Sequence, residues 1–504
     1  MALFRRRQKE TDTAKNTQDR IPSHYNDPLS ANVAKNEQIL RDILGNCSDV
    51  VFRSIQVPGQ PRILIVYVDG MVDTKVLEEN VIKPWIVSEL PDSFSNRRKP
   101  GKMLEQQLVA VAQTQTVTTV KMVIDSVLKA NVAILAEGED HALSATLTGF
   151  EKRAVEQPKT ETSVRGPKDS FTESLRTNTV LLRRRIANPR LKIESFTIGE
   201  LTHTDCAMAY LDGLAVDSVI QQVREKIRHM KQKGVIDSAY ITESIEPVPL
   251  SPFPQIGDTE RPDVTVAHLL EGKVAILVDG TPFALILPIS FWAGLQSPDD
   301  YYERFSYVIA RRFVRYVMVM TSLTLPAVYV AVTTYNPDML PGSLMQSIAT
   351  AREAAPFPTV IETACGEFVF EGLQEAGLRM PSQLGPIVSI IGALVIGEAA
   401  VRTNLVSAPI VIVVSMTGIA SFAIPRYSFG TPFRLLRFGL LLLAGTFGMY
   451  GLSVGMIAIL IHVVTLESFG APYFTPVAPL ALKHLRDVLI RTPRWTLMSR
   501  HRQR

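Results

Sequence analysis

KVAILVDGTPFALILPISFWAGLQSPDDYYERF, residues Lys273 to Phe305, marks the point where a chain that reads as a water-soluble α/β protein starts to read as a membrane protein. Val274 to Val278 is a short apolar run of strand type, Asp279-Gly280 is a turn signal, and Phe283 to Leu287 is the returning strand of a hairpin. That strand runs straight into Pro288-Ile-Ser-Phe-Trp-Ala-Gly-Leu295 with no flexible linker. A soluble part and a membrane part joined this stiffly suit a coupling device.

Working outward, charge is dense up to about residue 281, and long uncharged runs occur only after Arg315. The chain has 504 residues, 46% hydrophobic, with a mean hydropathy of +0.13, more than one ordinary soluble domain would show. The net charge of +4 sits largely at the two ends: MALFRRRQK opens the chain, and after Pro479 seven Lys or Arg stand against the single acid Asp487. Flanks of this kind read as anchors on the cytoplasmic side of a membrane, and no nucleic-acid partner is expected. Cys47, Cys206 and Cys365 are widely spaced and odd in number, so neither a disulfide framework nor a zinc site is indicated. Met1 to Leu29 lacks an apolar core segment, so no signal peptide is read there.

Residues 1–30 read as a mobile polar arm. Lobe 1, residues 31–150, has a helix at Val33 to Leu44, strands at Val50 to Val57 and Arg62 to Val68, a helix capped near Asp73 or Thr74, a helix over Val117 to Ala130, and a closing hairpin to Gly149. After a linker at 151–168 the order recurs in lobe 2, residues 169–281. Glu173 to Ile186 is helical, Leu191 to Ile198 and Asp205 to Leu211 are strands, Asp217 to Lys233 is a helix, and a shorter helix precedes the opening hairpin. Val132-Ala-Ile-Leu135 recurs as Val274-Ala-Ile-Leu277, displaced by 142 positions, and Asp69-Gly70 recurs as Asp212-Gly213, displaced by 143. Two landmarks with nearly one offset imply an internal duplication.

The α/β half carries little chemistry. Asp69, Asp212 and Asp279, each before Gly, read as turns. His203-Thr-Asp205-Cys206 has catalytic letters but no nucleophile elbow or metal spacing, and no phosphate loop is present. The expectation is a protein that is not an enzyme, with no catalytic residues, no metal and no cofactor.

In the second half, 316–334, 405–425 and 438–466 are uncharged runs long enough to cross about 30 Å of hydrocarbon. Residues 385–401, apolar except for Glu398, make a fourth candidate, and Pro282 to Leu295 is a short possible fifth. The membrane domain is thus 282–478, followed by a basic cytoplasmic tail at 479–504. Four crossings place lobes and tail inside, but leave Arg426, Arg434 and Arg437 outside, against the charge rule. Gly385, Val388, Gly392 and Val395, with Ser389 on the neighbouring small-residue face, are the candidate pore lining, since a narrow apolar constriction gates ions by dewetting. Pro358 to Gly377 reads as an outer helix with Glu367, Glu371 and Glu375 in one acidic stripe, suited to concentrating cations at a pore mouth.

These residues carry a resemblance. Val164-Arg-Gly-Pro-Lys-Asp-Ser-Phe-Thr-Glu-Ser-Leu-Arg-Thr-Asn178, Phe253-Pro-Gln255, Thr259-Glu-Arg-Pro-Asp263, Leu269 to Phe283, Pro356-Phe-Pro358, Glu375-Ala-Gly-Leu-Arg379 and Gly392-Ala-Leu-Val-Ile-Gly397 resemble the A subunit of spore germinant receptors, the GerA family. Ser421-Phe422 and Pro425 continue it, over roughly Val33 to Arg494, while Glu398 stands where Gln is usual in the family. The resemblance implies a multi-pass protein of the spore inner membrane, acting with a transporter-like B subunit and a lipoprotein C subunit. It also implies a homo-oligomer, a pentamer, forming a ligand-gated cation channel whose opening starts germination. A non-conducting scaffold, a signal-amplifying paralogue and a secondary transporter are the alternatives. The expected fold class is an α/β soluble N-terminal region of two duplicated lobes, followed by a polytopic α-helical membrane domain.

Overall fold

The computed structural model describes residues 23–58, 60–87, 113–149, 157–158, 160–379, 397–489 and 491. The chain divides into two compact units, the first running through Glu246 and again over Ile256–Pro288, the second taking Pro247–Gln255 and the chain from Ile289.

The first unit holds two five-stranded antiparallel sheets. In the first lobe, α1 (Val33–Ile43), β1 (Val50–Ile55), β2 (Ile63–Val68), α2 (Thr74–Leu77, continued by a π-helical turn at Glu78–Ile82), β3 (Thr114–Val117), α3 (Val120–Val127), β4 (Val132–Ala136) and β5 (Ala142–Ala145) give strand order β1-β2-β4-β5-β3. Successive side chains of β2 point to opposite faces, yet all six are buried, because a helix layer covers each face. Leu64 and Val66 join Leu40, Val123 and Ile124 on one side, while Ile63 and Ile65 join Leu77, Val81 and Trp85 on the other. The Asp73 carboxylate caps α2 by accepting from Lys75 and Val76 N–H.

The second lobe comprises α4 (Leu175–Arg185), β6 (Leu191–Ile198), β7 (Thr204–Leu211), α5 (Asp217–Arg228), α6 (Ser238–Ile245), β8 (Gly257–Thr259), α7 (Pro262–Leu270), β9 (Val274–Val278) and β10 (Ala284–Leu287). Its strand order, β6-β7-β9-β10-β8, matches the first sheet place for place. The third strand of each sheet, β3 or β8, was not expected from sequence, nor was α6: both are edge strands of four and three residues, too short to show alternation. Pro282 to Leu295 is not a membrane segment, because Ala284–Leu287 is a strand paired with both β9 and β8, and only the single turn Phe291–Gly294 beyond it is helical. Leu29, read from sequence as part of the polar arm, is buried, and its N–H donates to the Thr118 carbonyl.

In the second unit, α8 (Phe305–Tyr335), α9 (Gly342–Arg352), α10 (Thr359–Arg379), α11 (Gly397–Arg402), α12 (Ala408–Ser421), α13 (Tyr427–Thr465), a small ribbon β11–β12 (Glu467–Ser468, Ala471–Pro472) and α14 (Leu482–Leu489) follow in order. By length and composition α8 and α13 are apolar enough to cross a membrane.

Where the sequence suggests one run at 438–466, α13 is broken at Gly448, whose backbone (φ 61, ψ −143) is not helical. The chain doubles back there. A Cβ on Gly451 would strike the Leu443 carbonyl, and one on Gly455 would lie 2.5 Å from the Leu440 side chain. In a straight helix residues 440 and 455 would stand about 22 Å apart. Tyr335, at the end of α8, donates its hydroxyl to the carbonyls of Gly445 (2.7 Å) and Thr446 (3.0 Å) beside the break. At the other end of the same helices Phe429, Phe433 and Val463 share a core cluster with Val319, Phe253 and Tyr473.

Candidate functional site

Two places in the molecule collect polar groups. The first is a cleft of about 280 Å³ between the lobes of the first unit, lined among others by Ser48, Asp49, Asp69, Arg176, Ser195 and Asp205. Its carboxylates are already engaged. Asp49 takes both arms of the Arg183 guanidinium at 2.9 Å, Asp69 pairs with Arg176 at 2.6 Å, Asp205 accepts from Thr197, and Asp279 accepts from the Leu175 N–H. Arg183 also donates to the Leu191 carbonyl, and Ile193 N–H and carbonyl bond Asn46 and Ser48, so the lobes are stitched through main chain as well as charge. The three Asp-Gly steps do turn the chain: Gly70, Gly213 and Gly280 all lie at positive φ.

Elsewhere in the first unit, Cys206 is fully buried in β7 and His203 lies before that strand. Glu139, Asp140 and His141 bring their ligand atoms within 4.8 Å of one another, but His141 lies within ion-pair reach of both carboxylates, which accounts for the grouping.

The second place is α10. It runs parallel to α12, with Gly366 against Val414 and Phe370 against Gly418. It runs antiparallel to the first arm of α13, with Val360 against Gly445 and Glu371 against Arg437. At 1.5 Å per residue its 21 residues cover about 31 Å, about the length of the first arm of α13.

Its faces are reversed relative to a water-soluble helix. Ile361, Cys365, Val369 and Phe368, the last 74% exposed, look outward, while Glu362, Thr363 and Glu367, the last 0% exposed, look into the unit. Arg437 Nη2 lies 2.6 Å from Glu371 and 3.1 Å from Glu367, and Arg434 approaches Glu371 at 4.0 Å. Glu362 accepts from the Ser407 N–H at the start of α12. Glu375 is exposed and, among the described residues, pairs with Arg379, one turn on. The three carboxylates expected to form one stripe therefore differ: Glu367 is buried, Glu371 half-buried against arginine, and Glu375 exposed. The pore-lining candidates Gly385, Val388, Ser389, Gly392 and Val395 lie outside the described residues.

Among the described residues, several buried atoms on this face have no hydrogen-bond partner: Glu362 Oε2, Thr363 Oγ1, both Glu367 carboxylate oxygens, both Gln374 amide atoms, and Nε of Arg434 and Arg437. At about 1–3 kcal/mol each, a dry interior of this kind would cost on the order of a whole domain's stability. What sequence reasoning missed is therefore the interior of α10, and the signal available was its outward apolar set at 361, 365, 368 and 369.

Fold and site together define a protein in two parts, an α/β unit of paired sheets followed by a helical unit with an apolar exterior and a charged interior. Residues 38–503 match the family described as Bacillus/Clostridium GerA spore germination protein, and the chain belongs to that family. It is 39% identical to spore germination protein KA of Bacillus subtilis (strain 168), over 93% of this chain and 86% of that one. It is 41% identical to a B. subtilis protein called the uncharacterized membrane protein YfkQ, over 94% and 91%. It is 34% identical to spore germination protein GerLA of Bacillus cereus, over 94% and 95%. The crystal structure of the N-terminal domain of the A subunit of the Bacillus megaterium germinant receptor GerK3 is similar, with 29% identity and a TM-score of 0.42, covering 52% of this chain and 97% of that one.

Proposed function

We propose that this chain is the membrane subunit of a nutrient germinant receptor that triggers spore germination, and that it assembles as a homo-oligomer, a pentamer, into a ligand-gated cation channel. It acts with a transporter-like B subunit and a lipoprotein C subunit in the spore inner membrane, its duplicated lobes and basic tail on the core side. Family membership supports the germination role, and the matched strand orders support duplication.

The observation that carries the membrane reading is α10, apolar outside and charged inside, which is stable in lipid and not in water. The break at Gly448 supports a multi-pass topology of even parity. Crossings at α8, α10, 385–401, α12 and the two arms of α13 number six, and they return Arg426, Arg434 and Arg437 to the side of the basic tail. Two local contacts agree with this order: Tyr335 meets the Gly448 turn at one end, and Tyr316 donates to the Val488 carbonyl of α14 at the other.

The constriction remains assigned to Gly385, Val388, Ser389, Gly392 and Val395. Potassium efflux from vesicles holding the full chain tests the channel reading. Val395→Ala should raise flux and Gly392→Leu should block it. Absence of flux from folded, oligomeric protein of every variant would transfer the role to a non-conducting scaffold for the B and C subunits.

A further inference from the structure

The proposed constriction lies on 385–401, yet the polar groups of the helical unit gather elsewhere, on the inward face of α10. We propose that this face lines a water-filled path through the helical unit of a single chain, and that Glu367 with Thr363 forms a monovalent-cation site on it. The inference rests on the membrane reading above but not on conduction by the oligomer.

Three observations converge. First, Glu362, Thr363, Glu367 and Gln374 recur at helical spacing along one side of α10, so polar atoms continue through most of its length. Second, Thr363 and Glu367 are one turn apart, both 0% exposed, and Thr363 Oγ1 and both Glu367 oxygens lack a hydrogen-bond partner among the described residues. Buried polar groups in native proteins are otherwise almost all satisfied, and intramembrane polar groups face partners or water-filled cavities.

Third, Glu367 shares its counter-charge with a second carboxylate. The Arg437 guanidinium is held closer to Glu371, and Arg434 reaches only Glu371, so two carboxylates share one close arginine. The donors at Glu367 and Thr363 are oxygens alone, and the carboxylate is only partly balanced by the arginine that it shares. That set suits a hard, singly charged cation, and the absence of nitrogen or sulfur donors argues against a transition metal.

Cysteine accessibility in the full chain, reconstituted into lipid vesicles, tests the proposal. The background carries Cys365→Ser, since Cys47 and Cys206 are buried. A thiol in water ionises and reacts with methanethiosulfonates, whereas one in hydrocarbon does not, so Thr363→Cys should react at least about tenfold faster than the outward Phe368→Cys. The cationic trimethylammonium-ethyl reagent should outpace the anionic sulfonatoethyl reagent by about tenfold at Thr363→Cys, and Glu367→Gln should abolish that preference. Gln374→Cys, at the other end of the same face, gives the same comparison if Thr363→Cys does not assemble.

Labelling no faster than at Phe368→Cys would overturn the path. Fast labelling without charge preference, unchanged by Glu367→Gln, would overturn the cation site. Labelling as expected from protein that passes no potassium would sink the channel reading and sustain this one; potassium flux without labelling would do the reverse.

Discussion

The Asp49–Arg183 pair should carry the union of the two lobes, and its removal gives the sharpest test of the first unit. Both side chains are almost wholly buried, at 6% and 0% exposure, and both arms of the guanidinium reach the carboxylate at 2.9 Å. Burial alone would push the Arg183 guanidinium pKa down, but the Asp49 charge and hydrogen bonds outweigh it and hold it above its ordinary value. Asp49→Ala leaves that guanidinium buried with only the Leu191 and Asn188 carbonyls, and breaking such a pair costs about 3–5 kcal/mol. At a urea m-value of about 3 kcal/mol/M the midpoint should fall by about 1 to 1.7 M. Trp85, buried in the first lobe, reports the transition once Trp292→Phe and Trp495→Phe silence the other indoles in the detergent-solubilised full chain. Asp49→Ala/Arg183→Met removes both charges and should recover most of the loss. A single substitution costing under about 1 kcal/mol, or a double costing the sum of both singles, would refute the reasoning.

Other outcomes follow from the same structure. Leu440→Cys/Gly455→Cys in a background free of other thiols should form an intramolecular disulfide under mild oxidation, because α13 folds back at Gly448; a straight helix would keep the two apart and give none. Glu194 titrates below its ordinary value: burial raises it, but hydrogen bonds from Arg224 and Tyr210 outweigh that. Its folded pKa is depressed, so its stabilisation is present above the unfolded value of about 4.3 and is lost as pH falls through the folded value. Acid titration of Trp85 fluorescence should therefore flatten below about pH 4.5 in Glu194→Gln, and an unchanged profile would count against it. Phe253→Ala should cost about 3–5 kcal/mol in thermal unfolding of the helical unit, since Phe253 packs edge-on to Phe291 and Phe433; a cost under about 1 kcal/mol would show that the cluster closes without it.

The lobes were legible because their signals are local. Asp73 and its cap, the Asp-Gly turns, and apolar runs such as Val274 to Val278 each specify an element within a few residues. The Arg183–Asp49 pair was not legible, since its members are 134 positions apart and Arg183 sits in a triple arginine that reads as a solvated face. Amphipathicity also cannot tell inside from outside. The pattern of α10 gives two faces, and the acidic one reads as solvent-facing because that is right for a helix in water; in lipid the reading inverts. At Gly448 composition misled for a different reason, because both arms are equally apolar and the turn between them needs only one glycine.

The chain crosses between the two units more than once. The chain joins them at three points, after Glu246, after Gln255 and after Pro288, whereas the sequence suggested only the last. Two of the three are fixed at one hydroxyl: Ser468 Oγ donates to the Gln255 carbonyl at 2.7 Å and accepts from the Ile289 N–H at 3.1 Å. Immediately behind them Phe253 and Phe291 lie in contact with Phe433, at the start of α13, and Phe291 also meets Tyr473. Within the helical unit the Pro247–Gln255 segment, the chain from Ile289, the β11–β12 ribbon and the root of α13 therefore share one packing cluster. The arm of α13 that begins there carries Arg434 and Arg437, and with them the charges that hold Glu371 and Glu367 of α10.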